Sequence, residues 1–336
     1  MHLDIEVGDP DAAGAHALAA GGGPGGLSAP GTRAGLPRPG GPPVLPLGAC
    51  LAPTVPNDGD LPPPTIGGMT AQPGTDVAGQ WVLEPAWPAV PVIACLPHGG
   101  CDFPAELAAD LTMSPGNLWS DWLTRELYAF LPDLGITTIT TTLSRFVADV
   151  NRDPAAGQNG GFWSSVVSAQ LPDGEPLYRR ALTAAEISHR IAIAHEPFHR
   201  ALDTAIGRLL RRFPRLLLLD LHSFGMALDG DVILGDRHGT TARPDAVQLL
   251  SDAFCGNGFS VRLNERFSGG WTVRRFAAND RVDAVQVELN QRCYLDLAGR
   301  CYPSPPPIGA FDVTQQLLRR ALADDVVQPL LSLFRL

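Results

Sequence analysis

The sequence predicts an α/β protein with parallel strands at its centre, and two stretches carry that reading. Residues 216–225, LLLLDLHSFG, place four consecutive leucines before Asp220, Leu221, His222 and Ser223. A short apolar run without alternation suits a strand buried on both faces, as in the interior of a parallel sheet. Residues 90–96 are likewise apolar, interrupted only by Pro91, and lead into Pro97-His98-Gly99-Gly100. Segments with helical spacing separate these runs. In open α/β sheets, sites form outside the carboxyl ends of the strands, so His98 and His222 stand where functional histidines are expected. A single histidine beside a buried strand is more often a hydrogen-bonded core or loop residue than a ligand. Two delivered in the same way, one beside a Gly-Gly turn that lets backbone approach a ligand closely, favour ligation.

The elements follow in order. Residues 1–80, with GGGPGG, PRPGGPPVLP and LPPPTIGG, have a Pro/Gly-rich composition that cannot assemble a packed core and are expected to be a disordered leader. They lack the pattern of a secretory or transit peptide. A single catalytic domain is expected over 81–336. After the 90–96 strand, 104–111 is a short helical candidate. Residues 120–131 are a stronger one, with Trp122, Leu123, Leu127 and Phe130 at helical spacing. Asp121 then falls in a first turn, where a carboxylate either stabilises the helix dipole or serves as a metal ligand.

Residues 136–143, rich in Thr and Ile, read as a strand leading into a segment that contains Arg145, Asp149, Asn151, Arg152 and Asp153. Such mixed charge is either a solvated loop held by its own ion pairs or a patch that clamps a substrate carboxylate. Residues 157–174 read as a loop of the length that often covers a site. A long helix follows, opened by the capping box Thr183-Ala184-Ala185-Glu186 and kinked at Pro197 near His195 and His199, with His195 expected on the polar face. Residues 231–236 form a further short apolar run, 243–254 a helix, and 264–272 a glycine-punctuated loop. Residues 285–290 alternate as a strand should, with Gln286 and Glu288 facing one way. Glu288 is there either a paired surface carboxylate or a general base. Residues 313–323 and 326–333 close the chain as helices.

Composition narrows the function classes. The chain has 336 residues, 45% of them hydrophobic, and a net charge of −10, which argues against a nucleic-acid partner. No apolar run reaches the ~18–20 residues needed to span a bilayer, so a soluble, cytoplasmic protein is expected. The six cysteines, Cys50, Cys95, Cys101, Cys255, Cys293 and Cys301, include no C-x-x-C pair and read as reduced residues. The sequence contains no lysine, which removes Schiff-base chemistry and leaves arginine to hold any anionic substrate.

PHGG with the following Pro104, SDWLTRELY, SRFVADVNR, EPFHRAL, LDLHS, NERFSGGW and VQVELNQRCY, in this order, resemble the N-formylglutamate amidohydrolase family. The likeness runs from about Trp81 to the C-terminus. It implies a mixed, mainly parallel central sheet flanked by helices, similar to the zinc carboxypeptidases, with one divalent metal, zinc by family likeness. His98, Asp121 and His222 resemble the metal ligands, and Glu288 the carboxylate that takes the proton of a water and returns it to the leaving amine. Arg145, Asn151 and Arg152 resemble the group that fixes the substrate carboxylates; the alternative is that one of the arginines instead stabilises the tetrahedral oxyanion, which would make Arg145 catalytic beside Glu288. His199, Asn264, Gly269 and Gly270 resemble further pocket residues. Ser268 and Trp271 depart from the family pattern at this last loop.

The activity so implied is hydrolysis of N-formyl-L-glutamate, or a close small-molecule N-acyl amino acid, to formate and the free amino acid, as in histidine degradation. The alternatives are a carboxypeptidase-like or deacylase activity on a peptide or secondary metabolite, and a metal-retaining binding protein without turnover. The sequence leaves the oligomeric state open.

Overall fold

The computed structural model describes residues 74–77, 80–83, 85, 88–297 and 307–333. Most of the expected Pro/Gly-rich leader lies outside the described residues. Its last residues do not: strand β1 (Gly74–Val77) and the start of β2 (Gln80–Leu83) precede the expected boundary at 81. The other strands are β3 (Val92–Leu96), β4 (Thr137–Thr141), β5 (Asn159–Gly160), β6 (Val167–Ser168), β7 (Leu216–Phe224), β8 (Val232–Gly235), β9 (Val261–Leu263) and β10 (Val282–Asn290). All but β5 and β6 join one sheet in the order β1-β2-β4-β3-β7-β10-β8-β9. Its central members β4, β3, β7 and β10 are mutually parallel, while β2 and β8 pair antiparallel to them. The sheet is therefore mixed and mainly parallel, with helices on its faces.

Burial on both faces explains why β7 shows no alternation: all nine of its residues are buried. Successive side chains still point to opposite sides. Leu217, Leu219 and Leu221 pack in one cluster with Val247, Leu250 and Phe254 of α5 (Pro244–Gly256) and with Leu318 of α7 (Phe311–Arg320). Leu216 and Leu218 pack in the other with Phe198, Leu202, Ala205 and Leu209 of α4 (Glu196–Leu209). Asp220 and His222 continue this second row. Gln286 and Glu288 do the same in β10, beyond Val282 and Ala284. The face that packs against α4 thus turns polar toward the carboxyl ends of two neighbouring parallel strands.

The expected long helix starts at the capping box, with Glu186 N–H donating to Thr183 Oγ1 and the Glu186 carboxylate accepting from Thr183 N–H. It runs as α3 (Ala184–Arg190), a π-helical turn (Ile191–His195) and α4. Pro197 has no N–H to donate, and the irregularity expected from it takes the form of that π turn. The C-terminal helices are likewise joined, α7 and α8 (Gln328–Leu333) through a π segment (Ala321–Val327).

The helix expected over 120–131 is not continuous. One turn precedes it, α1 (Ala105–Ala108), and within the stretch only α2 (Thr124–Leu127) forms, followed by a 3₁₀ turn (Leu131–Leu134). Leu123 has φ of 57°, which no α-helix admits, so the helix cannot extend back to Asp121. Asp121 is therefore outside the helix, and a first-turn dipole role does not apply to it. Among the described residues no helix is long and apolar enough to cross a membrane.

Leu218 is fully buried between β7 and α4. Leu218→Ala should cost roughly 2–5 kcal/mol of stability in urea titration, whereas Val313→Ala, at an exposed position, should change it by less than about 0.5 kcal/mol. Equal effects would contradict the packing described.

Candidate active site

Two segments that are distant in sequence are tied together at the end of β3. Ser120 Oγ donates to the carbonyls of His98 (2.8 Å) and Gly100 (3.3 Å), and Asp121 N–H donates to His98 O (3.2 Å). A Cβ on Gly100 would meet the backbone of Thr142 and Leu143 at 2.5 Å, so this turn requires a glycine to lie against the chain leaving β4. These contacts carry Asp121 to His98. Asp121 Oδ2 in turn accepts from the backbone N–H of Ser223 in β7 at 3.0 Å.

The result is a convergent donor set. Nδ1 of His222 lies 3.2 Å from Asp121 Oδ2, and Nδ1 of His98 lies 3.9 Å from the same oxygen. The two rings stand edge to face with centroids 4.6 Å apart. Each imidazole is held from behind by a carboxylate: His98 Nε2 is 2.7 Å from Asp149 Oδ1, and His222 Nε2 is 3.3 Å from Asp220 Oδ1. Outer carboxylates of this kind fix the tautomer and aim the other nitrogen at a metal. Asp121 Oδ1 is buried without a hydrogen-bond partner, an arrangement that a cation would satisfy. The three ligand atoms lie within 4.8 Å of one another, and two imidazoles with one carboxylate fit a divalent metal that retains an open position.

Charge shapes the protonation of these groups. Burial and the nearby Arg145 guanidinium lower the pKa of His98, outweighing Asp149, and favour its neutral form. Burial alone would lower His222 too, but Asp220, Asp121 and Glu288 together raise it well above the usual imidazole value. Asp149 is held well below the carboxylate range: burial opposes this, and Arg145, His98 and Arg152 outweigh it.

The segment after β4 is no solvated loop. Arg145, Asp149, Asn151 and Arg152 are all buried, with at most 7% of their surface exposed. Arg145 donates to Asp149 Oδ2 at 2.5 Å, and its guanidinium lies over the rings of Phe162 (4.6 Å) and Trp119 (5.6 Å). The Asn151 amide donates to Asp220 Oδ2 (3.2 Å) and accepts from Thr272 N–H (2.9 Å). Gly270 is needed beside it, because a Cβ there would meet the Asn151 side chain at 2.5 Å. Gln286 accepts from Gly270 N–H and donates to Glu288 Oε1, both at 2.8 Å, which orients the Glu288 carboxylate.

His98, Asp121, Arg145, Asn151, Arg152, His222, Gly270 and Glu288 line one open cavity, with Trp119, Trp163, Met226 and Phe267 among its apolar walls. His199, Asn264 and Gly269 are not among its lining residues. His199 Nε2 faces Val150 O at 2.7 Å. Asn264, at φ 54°, uses its amide on Asp236, donating to Oδ1 (2.6 Å) and accepting from the backbone N–H (3.1 Å). Gly269, at φ 118°, accepts from Arg237 Nη1 at 2.9 Å. His195, expected on the polar face of its helix, is buried instead and contacts Arg152 O at 2.9 Å.

Sequence reasoning missed Asp149, Asp220, Gln286, Trp119 and Trp163. Asp220 carried a signal, since an aspartate inside a buried strand has to have a partner. Asp149 lay within a mixed-charge segment that does not show which carboxylate turns inward, and nothing in the spacing marks the two tryptophans.

The family model of N-formylglutamate amidohydrolase matches residues 90–295, a span that contains every residue of this cavity. The chain belongs to the N-formylglutamate amidohydrolase family. It is 32% identical over 224 residues to the N-formylglutamate deformylase of Pseudomonas aeruginosa, covering 62% of this chain and 83% of that protein. The N-formylglutamate deformylase of Pseudomonas putida is 30% identical over 220 residues, covering 62% and 82%. The crystal structure of N-formylglutamate amidohydrolase from Ralstonia eutropha JMP134 shares the fold. Its TM-score is 0.66 at 24% sequence identity, over 75% of this chain and 99% of that one.

The donor set yields a direct prediction. In His222→Ala, metal per chain measured by elemental analysis should fall from about one to near zero, and Asp149→Asn should weaken metal affinity by about 10–100-fold. Full occupancy in His222→Ala would remove that residue from the ligand set.

Proposed function

We propose that this protein is a zinc-dependent amidohydrolase that cleaves the formamide bond of N-formyl-L-glutamate, or of a close N-acyl amino acid, to formate and the free amino acid. The observation that carries this reading is the convergence of both Nδ1 atoms on Asp121 Oδ2, in one cavity with Glu288 and two buried arginines. Family membership and the two Pseudomonas deformylases support it. Zinc is favoured over a harder cation because two of the three donors are imidazoles.

A cation held by His98, Asp121 and His222 would polarise the formyl carbonyl and acidify a water beside it. Glu288, oriented by Gln286, accepts the proton of that water and delivers it to the leaving amine nitrogen as the C–N bond breaks. Arg145 and Arg152 meet the carboxylates of the substrate, and the aromatic packing of Arg145 on Phe162 and Trp119 spares it the cost of becoming ordered on binding. Asn151 supplies an amide beside them. Trp163, Met226 and Phe267 exclude water around the scissile bond, which strengthens these charge interactions.

The test is formate release from N-formyl-L-glutamate by the purified protein with and without added zinc, with N-formylglycine as the single-carboxylate comparison. Zinc-dependent release, faster from the glutamate compound, is expected because both arginines line the cavity. Absence of release by a protein that holds one metal would sink the reading. Glu288→Gln should lower kcat by about 10²–10⁴ while metal content stays unchanged. An unaltered kcat would remove Glu288 from the base role.

A further inference from the structure

Two buried histidines outside the cavity have no part in the chemistry just described. His195 closes the π turn and His199 lies one helical turn further on, so both occupy one face of the helix. Their ring centroids are 4.5 Å apart, and each residue is 5% exposed. His199 Nε2 lies 2.7 Å from the carbonyl oxygen of Val150, and His195 Nε2 lies 2.9 Å from that of Arg152. The carbonyls on either side of Asn151 are thus both met by imidazole nitrogens from a single helix. The Asn151 carbonyl between them accepts from the backbone N–H of Trp271 at 3.4 Å, where α6 (Trp271–Phe276) begins.

Carbonyl oxygens only accept hydrogen bonds, so both Nε2 atoms must carry the proton. Nδ1 of His199 is buried with no hydrogen-bond partner, and the ring stacks on Phe276 with centroids 5.9 Å apart. A second proton on that nitrogen would have no acceptor. Burial, the neighbouring His195 and the charge of Arg275 also disfavour the cation, holding His199 down to about 3. Burial similarly lowers His195, despite Arg152 O, Asp149 and Glu196.

We propose that His195 and His199 are positioning residues, a pair of imidazoles that donate from Nε2 to the backbone on both sides of Asn151 and thereby aim Asn151 and Arg152 into the substrate cavity. Neither touches the substrate. The π turn is what makes the pair work. It precedes Pro197 and sets the phase of the helix so that two side chains four residues apart meet carbonyls two residues apart on a turn, which the Arg152 N–H closes on Asp149 O. The substrate-binding consequence rests on the amidohydrolase reading above, whereas the hydrogen-bond arrangement does not.

Two measurements test it. In the full chain with 15N-labelled histidine, NMR should show both imidazoles as the Nε2–H tautomer from pH 6 to pH 8. The Nδ1–H tautomer at either residue would overturn the clamp whatever the enzyme does. In formate-release assays, His199→Phe keeps the ring's bulk without its donor and should raise KM by about tenfold or more. Its kcat should stay within about threefold and its metal content should not change. His199→Gln, which keeps a donor near Nε2, should restore KM to within about threefold. An unchanged KM in His199→Phe, or a glutamine variant no better than the phenylalanine one, would show that the residue acts by packing and overturn the proposal. If the unaltered protein releases no formate, the hydrolytic reading fails and the tautomers decide the clamp alone; they also decide it if His199→Phe does not fold.

Discussion

Asp220 is a carboxylate with no solvent exposure in the middle strand of the sheet, and satisfying it organises the site. An unpaired buried charge costs several kcal/mol even after the protein relaxes, so its partners are obligatory. They come from three directions: Cys95 Sγ of β3 (3.3 Å), the Asn151 amide from the segment after β4 (3.2 Å), and His222 Nε2 in its own strand (3.3 Å). One side chain therefore joins two strands and the loop that carries both cavity arginines. Burial pushes the Cys95 thiol well up, with Asp220 adding to the shift, so the sulfur stays a neutral donor.

Asp149 does for His98 what Asp220 does for His222, with a difference that bears on substrate binding. Its two oxygens are divided between the imidazole and Arg145, and Arg152 Nε lies 3.9 Å away. The guanidinium and the candidate ligand are thus coupled through one carboxylate. Displacing Arg145 would leave His98 with a less constrained partner, so the proposed anion-binding and metal-binding halves of the cavity cannot be tuned separately. Dipoles and charges held in place this way need no reorganisation when charge develops in a reaction, which is the main source of electrostatic catalysis.

The parts legible in the sequence are those set by one-dimensional patterns. The leucine run of β7 and the PHGG turn after β3 announced strands whose carboxyl ends deliver histidines, because burial on both faces removes alternation and glycines mark close backbone approach. The parts not legible depend on torsions and on neighbours remote in the chain. The apolar spacing over 120–131 satisfies a helix, yet Leu123 adopts a left-handed φ that releases Asp121 from helical geometry and turns it toward Ser223. His195 follows a polar pattern on paper, but the π turn rotates it inward, and helical periodicity of 3.6 residues cannot anticipate a local change of period. Asn264 occupies a loop of the expected composition and spends its amide on Asp236.

The relation between the candidate base and a candidate ligand is a matter of sheet register. In the parallel pairing of β7 with β10, Glu288 lies opposite His222 and Gln286 opposite Asp220. A slip of one residue would turn Glu288 to the other face of the sheet, the one that Val285, Val287 and Leu289 occupy in the native register and that α5 and α7 cover. It would also expose that apolar row to the polar cavity. The hydrophobic pattern on the covered face therefore enforces the pairing of acid and histidine on the open one. The leucines and valines beneath the site set its chemistry by allowing a single alignment of the strands that carry it.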